Sequence, residues 1–251
     1  MPIQKLPLTG HLEELRKRII YTLIAFIIFL VGSFIYVQDI YKWLIRNLNH
    51  KLAVLGPSDI LWAYFSISGV IAIALTIPIA AYQVWKFVEP ALSEKERKTT
   101  ISYIPGLFIL FIAGLSFGYF FVFPSALTFL MSLSEGQFET LFTSEKYFKF
   151  MMNLTLPFGF LFEIPLVVMF LTSIGIINPM ILSKARKISY FVIVVISCII
   201  TPPDFVSEIL VSIPLIVLYE ISINLSKITY RKKLNKQLDN EMEMKSASFT
   251  N

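Results

Sequence analysis

Charge is scarce in this sequence and cysteine is almost absent. Only 16% of the 251 residues are Asp, Glu, Lys or Arg, where an ordinary soluble domain carries about 25%. Apolar residues reach 56% and mean hydropathy is +0.71, so a water-soluble globule of this size would lack the polar surface to cover itself. The single cysteine, Cys198, lies inside an apolar run, which excludes an intrachain disulfide. The two histidines, His11 and His50, are too far apart for an H-E-x-x-H zinc helix. No G-x-x-x-x-G-K-[ST] phosphate loop and no G-x-S-x-G nucleophile elbow occurs. Neither an enzyme nor a cofactor is expected.

What the sequence does have is a series of long apolar runs. A helix crossing ~30 Å of hydrocarbon takes about 20 residues. Runs of that class occupy 19–38, 66–85 with Pro78 inside it, 103–133, and 150–181 with the one charge of Glu163. Within the third run, Gly106, Gly114 and Gly118 offer small residues where a neighbouring helix can approach closely. Two further runs, 188–201 and 209–219, are shorter and are separated by Pro202-Pro203-Asp204. A re-entrant hairpin would fit this pair as well as two thin spans. Cations on both flanks, Lys184, Arg186 and Lys187 before and Lys227, Arg231, Lys232 and Lys233 after, favour two spans.

The expected fold is therefore an all-α integral membrane protein with six transmembrane helices, the last two short. An N-terminal segment, 1–18, precedes a membrane domain, 19–225, and a tail, 226–251, follows it. From Asn235 onward the tail is polar and of mixed charge, and disorder is expected there. The first apolar run is too long for a signal-peptide core and no A-x-A site follows it, so a retained first helix is expected.

Orientation follows from the cations. Of the 22 Lys and Arg residues, only Lys42, Arg46, Lys51, Lys146 and Lys149 fall on one side of the expected spans. The other seventeen fall on the side that holds both termini, which the positive-inside rule assigns to the cytoplasm. The net charge of +5 is then a topology signal, and no nucleic-acid partner is expected.

Carboxylates stand out against this background. In His11-Leu-Glu-Glu-Leu-Arg-Lys-Arg18, Glu14 and Arg18 are four apart and form a helical pair worth about 0.3–0.5 kcal/mol. In the loop after the second run, Ser93-x-x-Glu96 has the form of a capping box. Yet Glu89, Glu94 and Glu96 lie on the cation-filled side, where an acidic patch could receive a basic ligand. Glu163 lies deep in its run, where a carboxylate costs ~2.5–3.5 kcal/mol on insertion scales and so should face protein or a watery cavity. Glu208 and Glu220 lie nearer helix ends, where charge is cheaper.

These residues carry a resemblance. The H-L-x-E-L-R-x-R start at His11 to Arg18, the Tyr82-Gln-Val-Trp-Lys-Phe-Val-Glu-Pro-Ala-Leu92 run followed by Glu96-Arg97, the Leu156-Pro-Phe-Gly-Phe-Leu-Phe-Glu163 run and Thr201-Pro-Pro-Asp204 occur in order. Together they resemble the TatC family, the multispanning receptor subunit of the twin-arginine protein translocase. The resemblance implies a receptor that binds twin-arginine signal peptides of folded cargo on the cytoplasmic face of the cell membrane. It also implies an oligomeric complex with single-span partners of the TatA and TatB type, driven by the proton-motive force. Its signal-peptide positions fall on Glu14 and Glu96, with Phe87 beside the second, and its intramembrane acidic position falls on Glu163. A polar partner contact falls on Thr201 and Glu208, where an uncharged residue is expected and Glu208 departs from the pattern.

The implied ligand suits the residue types. Two adjacent guanidinium groups want carboxylates in fork geometry, and a charge-assisted hydrogen bond is worth roughly 1.5–3 kcal/mol where water is partly excluded. Lysine brings the charge without the fork. The alternative from another class is a proton-coupled secondary transporter in which Glu163 and Glu220 relay protons. Such folds show paired halves with broken helices at matching positions, and no such internal symmetry is visible here.

Overall fold

The computed structural model describes residues 8–46, 52–92, 97, 100–134, 142–201 and 205–249. The described chain is helical apart from turns and short connections. Helix α1 covers Leu8–Ile35, so the cationic start and the first apolar run share one unbroken helix. Helix α2, Val37–Ile45, follows at once. Helix α3, Pro57–Val88, begins with Pro57 at its first position, where a missing N–H costs nothing, and carries Pro78 in its interior. It passes into a single 3₁₀ turn, Glu89–Ala91, at Pro90.

Helix α4, Ile104–Phe117, runs through one π turn, Gly118–Val122, into α5, Phe123–Ser134. Helix α6, Ser144–Phe162, stops where Pro165 cannot donate to the preceding turn, and α7, Ile164–Ser173, restarts one residue later. Glu163 is the residue at that joint. A short helix α8, Pro179–Lys184, leads into α9, Arg186–Ile200. The last helix, α10, is Phe205–Phe249.

Five helical segments among the described residues are long and apolar enough to cross a membrane: Leu12–Ile35, Pro57–Val88, Ile104–Leu133, Ser144–Ser173 and Ser207–Asn235. Six were expected. The 188–201 run does form a helix, but α9 has 15 residues and rises only about 22 Å at 1.5 Å per residue, short of ~30 Å. The last span, in contrast, is not short. Its expected end at Glu220 is no end, because Arg186 pairs with that carboxylate and the helix continues through it. Nor does the tail beyond Asn235 fall out of helix, as composition led us to expect. Lys, Leu, Gln, Glu, Met and Ala dominate it, and all are strong helix formers attached to a helix already nucleated.

The chain divides into two compact units, residues 1–160 and 161–251. In the first, α1 packs along α3, with the Ser33 hydroxyl donating to the Ser68 carbonyl at 3.0 Å. Tyr41 of α2 meets Tyr64 of α3 and Phe148 of α6 edge-on or tilted, at 5.5 and 5.1 Å between ring centres. Phe111, Phe148 and Phe158 are fully enclosed. A close backbone approach joins α4 and the π turn after it to α6. A Cβ placed on Gly114 would lie 2.3 Å from the Phe158 carbonyl oxygen, and one on Gly118 would lie 2.8 Å from the Thr155 Cα. Gly114 and Gly118 thus serve as the sequence suggested. A small backbone clasp, Ala53 N–H to Phe142 carbonyl and Ser144 N–H to Ala53 carbonyl, both 2.9 Å, ties the segments preceding α3 and α6.

In the second unit α7 packs on α10, where the Thr172 and Ser226 hydroxyls share a fully buried 2.7 Å hydrogen bond. Lys233 donates to the Ser173 carbonyl at 3.0 Å and so satisfies the open end of α7. Helix α9 is held to α10 by an ion pair, Arg186 to Glu220 at 2.9 Å, and by the Tyr190 hydroxyl, which donates to the same carboxylate. Beside it the Ser189 hydroxyl donates to that of Tyr219, which donates to the Leu182 carbonyl, each at 2.9 Å. Ile188, Phe191 and Ile199 of α9 remain about 70% exposed or more, as side chains facing lipid would be.

Candidate functional site

Most of the carboxylates that the sequence singles out at the cation-rich ends of the spans belong to the first unit. Glu14 lies on α1, one turn before Arg18, and the Arg18 Nη2 donates to its Oε1 at 2.7 Å. The Arg18 Nη1 also donates to Gln83 Oε1 on α3, at 3.2 Å, because α1 and α3 run side by side. Both partners are largely withdrawn from solvent, Arg18 at 18% and Glu14 at 25% side-chain exposure. The expected i,i+4 pair is therefore present, but it is anchored to a second helix. A shallow hollow of about 300 Å³ opens beside it, lined by Gly10, Glu13, Glu14, Lys17, Arg18 and Tyr21.

At the end of α3 a second acidic group is formed by Glu89. Its side chain is 15% exposed and is ion-paired with Arg97, which is itself 58% exposed. The Arg97 guanidinium lies over the Trp85 ring, 5.9 Å from its centre. Trp85 is buried and donates through Nε1 to the Thr100 hydroxyl at 2.9 Å. Tyr82 stacks on Trp85, and the Lys86 ammonium lies 6.0 Å from the centre of the Tyr82 ring. Phe87 follows in the same helix and is half-buried. Glu96, together with its expected capping partner Ser93 and with Glu94, lies outside the described residues.

The remaining candidates lie in the second unit. Glu163 is 8% exposed, and neither carboxylate oxygen has a hydrogen-bond partner. Thr201 is buried and its hydroxyl donates back to the Ser197 carbonyl at 2.8 Å. Glu208 accepts from the Cys198 thiol at 2.9 Å, joining the end of α9 to the start of α10. Sequence reasoning placed no role on Gln83 or Arg97. The only signals were a lone amide near the end of an apolar span and one arginine inside the loop's acidic run.

A model of the family described as Sec-independent protein translocase protein (TatC) matches residues 10–214. That match runs from Gly10 in α1 to Pro214 in the first quarter of α10 and takes in Glu14, Glu89, Glu96, Glu163, Thr201 and Glu208. The chain belongs to the TatC family. It is 63% identical to the Sec-independent protein translocase protein TatCd of Bacillus subtilis (strain 168), over 92% of this chain and 95% of that one. TatCy of the same organism is 42% identical, over 92% and 93%. A crystal structure described as the twin arginine translocase receptor TatC superposes with a TM-score of 0.72 at 35% identity, covering 87% of this chain and 99% of that one. As a TatC protein the chain is a multi-pass membrane component of a Sec-independent protein translocase. The acidic pairs around α3 are thus features of a translocase subunit.

Proposed function

We propose that this TatC protein is the receptor that binds twin-arginine signal peptides of folded cargo at the cytoplasmic face, with both termini in the cytoplasm and six spans, α9 included. The observation that carries the reading is Glu14. It is a half-sequestered carboxylate at a hollow, on the side of the membrane where cations gather, and one of its oxygens accepts from Arg18. One hydrogen bond to Gln83 steadies Arg18, and Arg18 in turn holds one oxygen of Glu14. Glu96 supplies the second acceptor and Phe87 an apolar flank.

The protein acts without enzymatic chemistry. Single-span TatA- and TatB-type partners pack against the scaffold, with Thr201 and Glu208 as the polar contact, and the proton-motive force drives export. Glu163 is enclosed by this chain, where an unpartnered carboxylate avoids the cost of facing lipid, and it couples peptide binding to that assembly.

The test is export of a twin-arginine reporter. Glu14→Ala and Glu96→Ala each abolish it while the protein still inserts and accumulates. Wild-type export by the double variant would refute the assignment.

A further inference from the structure

We propose that Glu89 is a further acceptor for a signal-peptide arginine, kept occupied between cargoes by the protein's own Arg97, which the peptide displaces. The proposal rests on the receptor reading above and deepens it.

The two arginine–carboxylate pairs near the end of α3 differ in a way that decides which can exchange. At Glu14 the arginine is the fixed partner. Arg18 has 18% of its side chain exposed and makes two hydrogen bonds, to Glu14 and to Gln83, so removing it would strand both acceptors. At Glu89 the exposure is reversed. The carboxylate is the sheltered member, at 15%, and the arginine is the open one, at 58%.

That asymmetry has a consequence. A sheltered carboxylate left without a cation loses its compensation and pays its desolvation. Arg97, by contrast, can swing into water with its charge solvated, giving up its pair with Glu89 and its position over Trp85. Exchange is then open to any cation that restores the contact. A lysine offers a point charge, whereas a second guanidinium restores the same planar fork and can also lie on the Trp85 face. The site therefore selects arginine by replacing like with like. Trp85 provides a rigid platform for either occupant, because it is buried and bonded to Thr100.

The experiment titrates a fluorescent twin-arginine signal peptide against the full-length protein in nanodiscs. Loss of binding in Glu14→Gln shows that the receptor reading holds in that assay, and undiminished binding there overturns the reading itself. With the reading standing, Arg97→Gln removes the internal competitor. A partly exposed ion pair is worth about 0.2–1 kcal/mol, so binding tightens about 1.4- to fivefold. Glu89→Gln weakens binding, and in that background Arg97→Gln brings no tightening. Arg97→Met, which keeps an apolar stem over Trp85, tightens binding as Arg97→Gln does. Equal or weaker binding by both Arg97 variants overturns the proposal. So does tightening of the same size with and without Glu89, which would reflect only one positive charge fewer near a cationic peptide.

Discussion

Alanine at Gly114 separates a true backbone contact from a merely permissive glycine. Its Cβ would stand 2.3 Å from the Phe158 carbonyl oxygen, 2.8 Å from the carbonyl carbon and 2.9 Å from the Gly159 Cα. Non-bonded carbon contacts settle near 3.5–4.0 Å, so α4 and α6 must part by about 1 Å. Every atom in the way is backbone, and no rotamer change relieves it. Overpacking of this kind costs about 1–3 kcal/mol, from which up to ~1 kcal/mol of helix propensity is regained. With the full propensity gain the net loss is up to about 2 kcal/mol, and it lies toward the upper end because the atoms in the way are backbone. At about 2–4 °C per kcal/mol for a chain of this length, the melting temperature of the purified protein in detergent falls by several degrees. Gly32 and Gly69 are the internal controls, since a Cβ at either meets nothing within 4 Å. There the propensity gain stands alone and alanine is neutral or stabilising. Gly114→Ala as stable as Gly32→Ala would refute the close packing of α4 on α6.

Topology and the buried carboxylate give two further predictions. Reporter tags at either terminus and at Ser93 read as cytoplasmic, whereas tags at Ser58, Gln137 and Asp204 read as external. A cytoplasmic Asp204 would turn α9 and the start of α10 into a re-entrant hairpin. Glu163→Gln keeps partial export and Glu163→Leu loses it while still binding peptide, measured by reporter export alongside peptide capture. Equal export by Glu163→Leu would leave the carboxylate a structural role only.

Much of the architecture was legible because a membrane imposes one simple demand, an uninterrupted apolar stretch long enough to cross it. Four of the long runs became helices of that kind, lengthened at the start of 19–38 and 150–181 and at both ends of 66–85, and cut back at the C-terminal ends of 19–38 and 150–181. Where pairing between distant residues decides, the sequence is silent. Glu220 looked like the end of an apolar segment because its partner Arg186 is 34 positions away. Gly114 and Gly118 were readable as small residues in register, but Gly159, whose Cβ would lie 2.6 Å from the Phe111 ring, gave no such signal. The pairing of Glu14 with Arg18 was readable from their spacing of four. That Arg18 is braced by Gln83, and that Arg97 pairs with Glu89 at the end of α3, are facts of packing.

Direct binding of a twin-arginine peptide, compared with its twin-lysine counterpart, to the isolated protein tests the central claim most closely. The account predicts saturable binding of the arginine peptide, at least tenfold weaker binding of the lysine peptide from loss of about 1.4 kcal/mol or more of fork geometry, and loss of both in Glu14→Gln. Equal affinity for the two peptides, unchanged by Glu14→Gln, would contradict it.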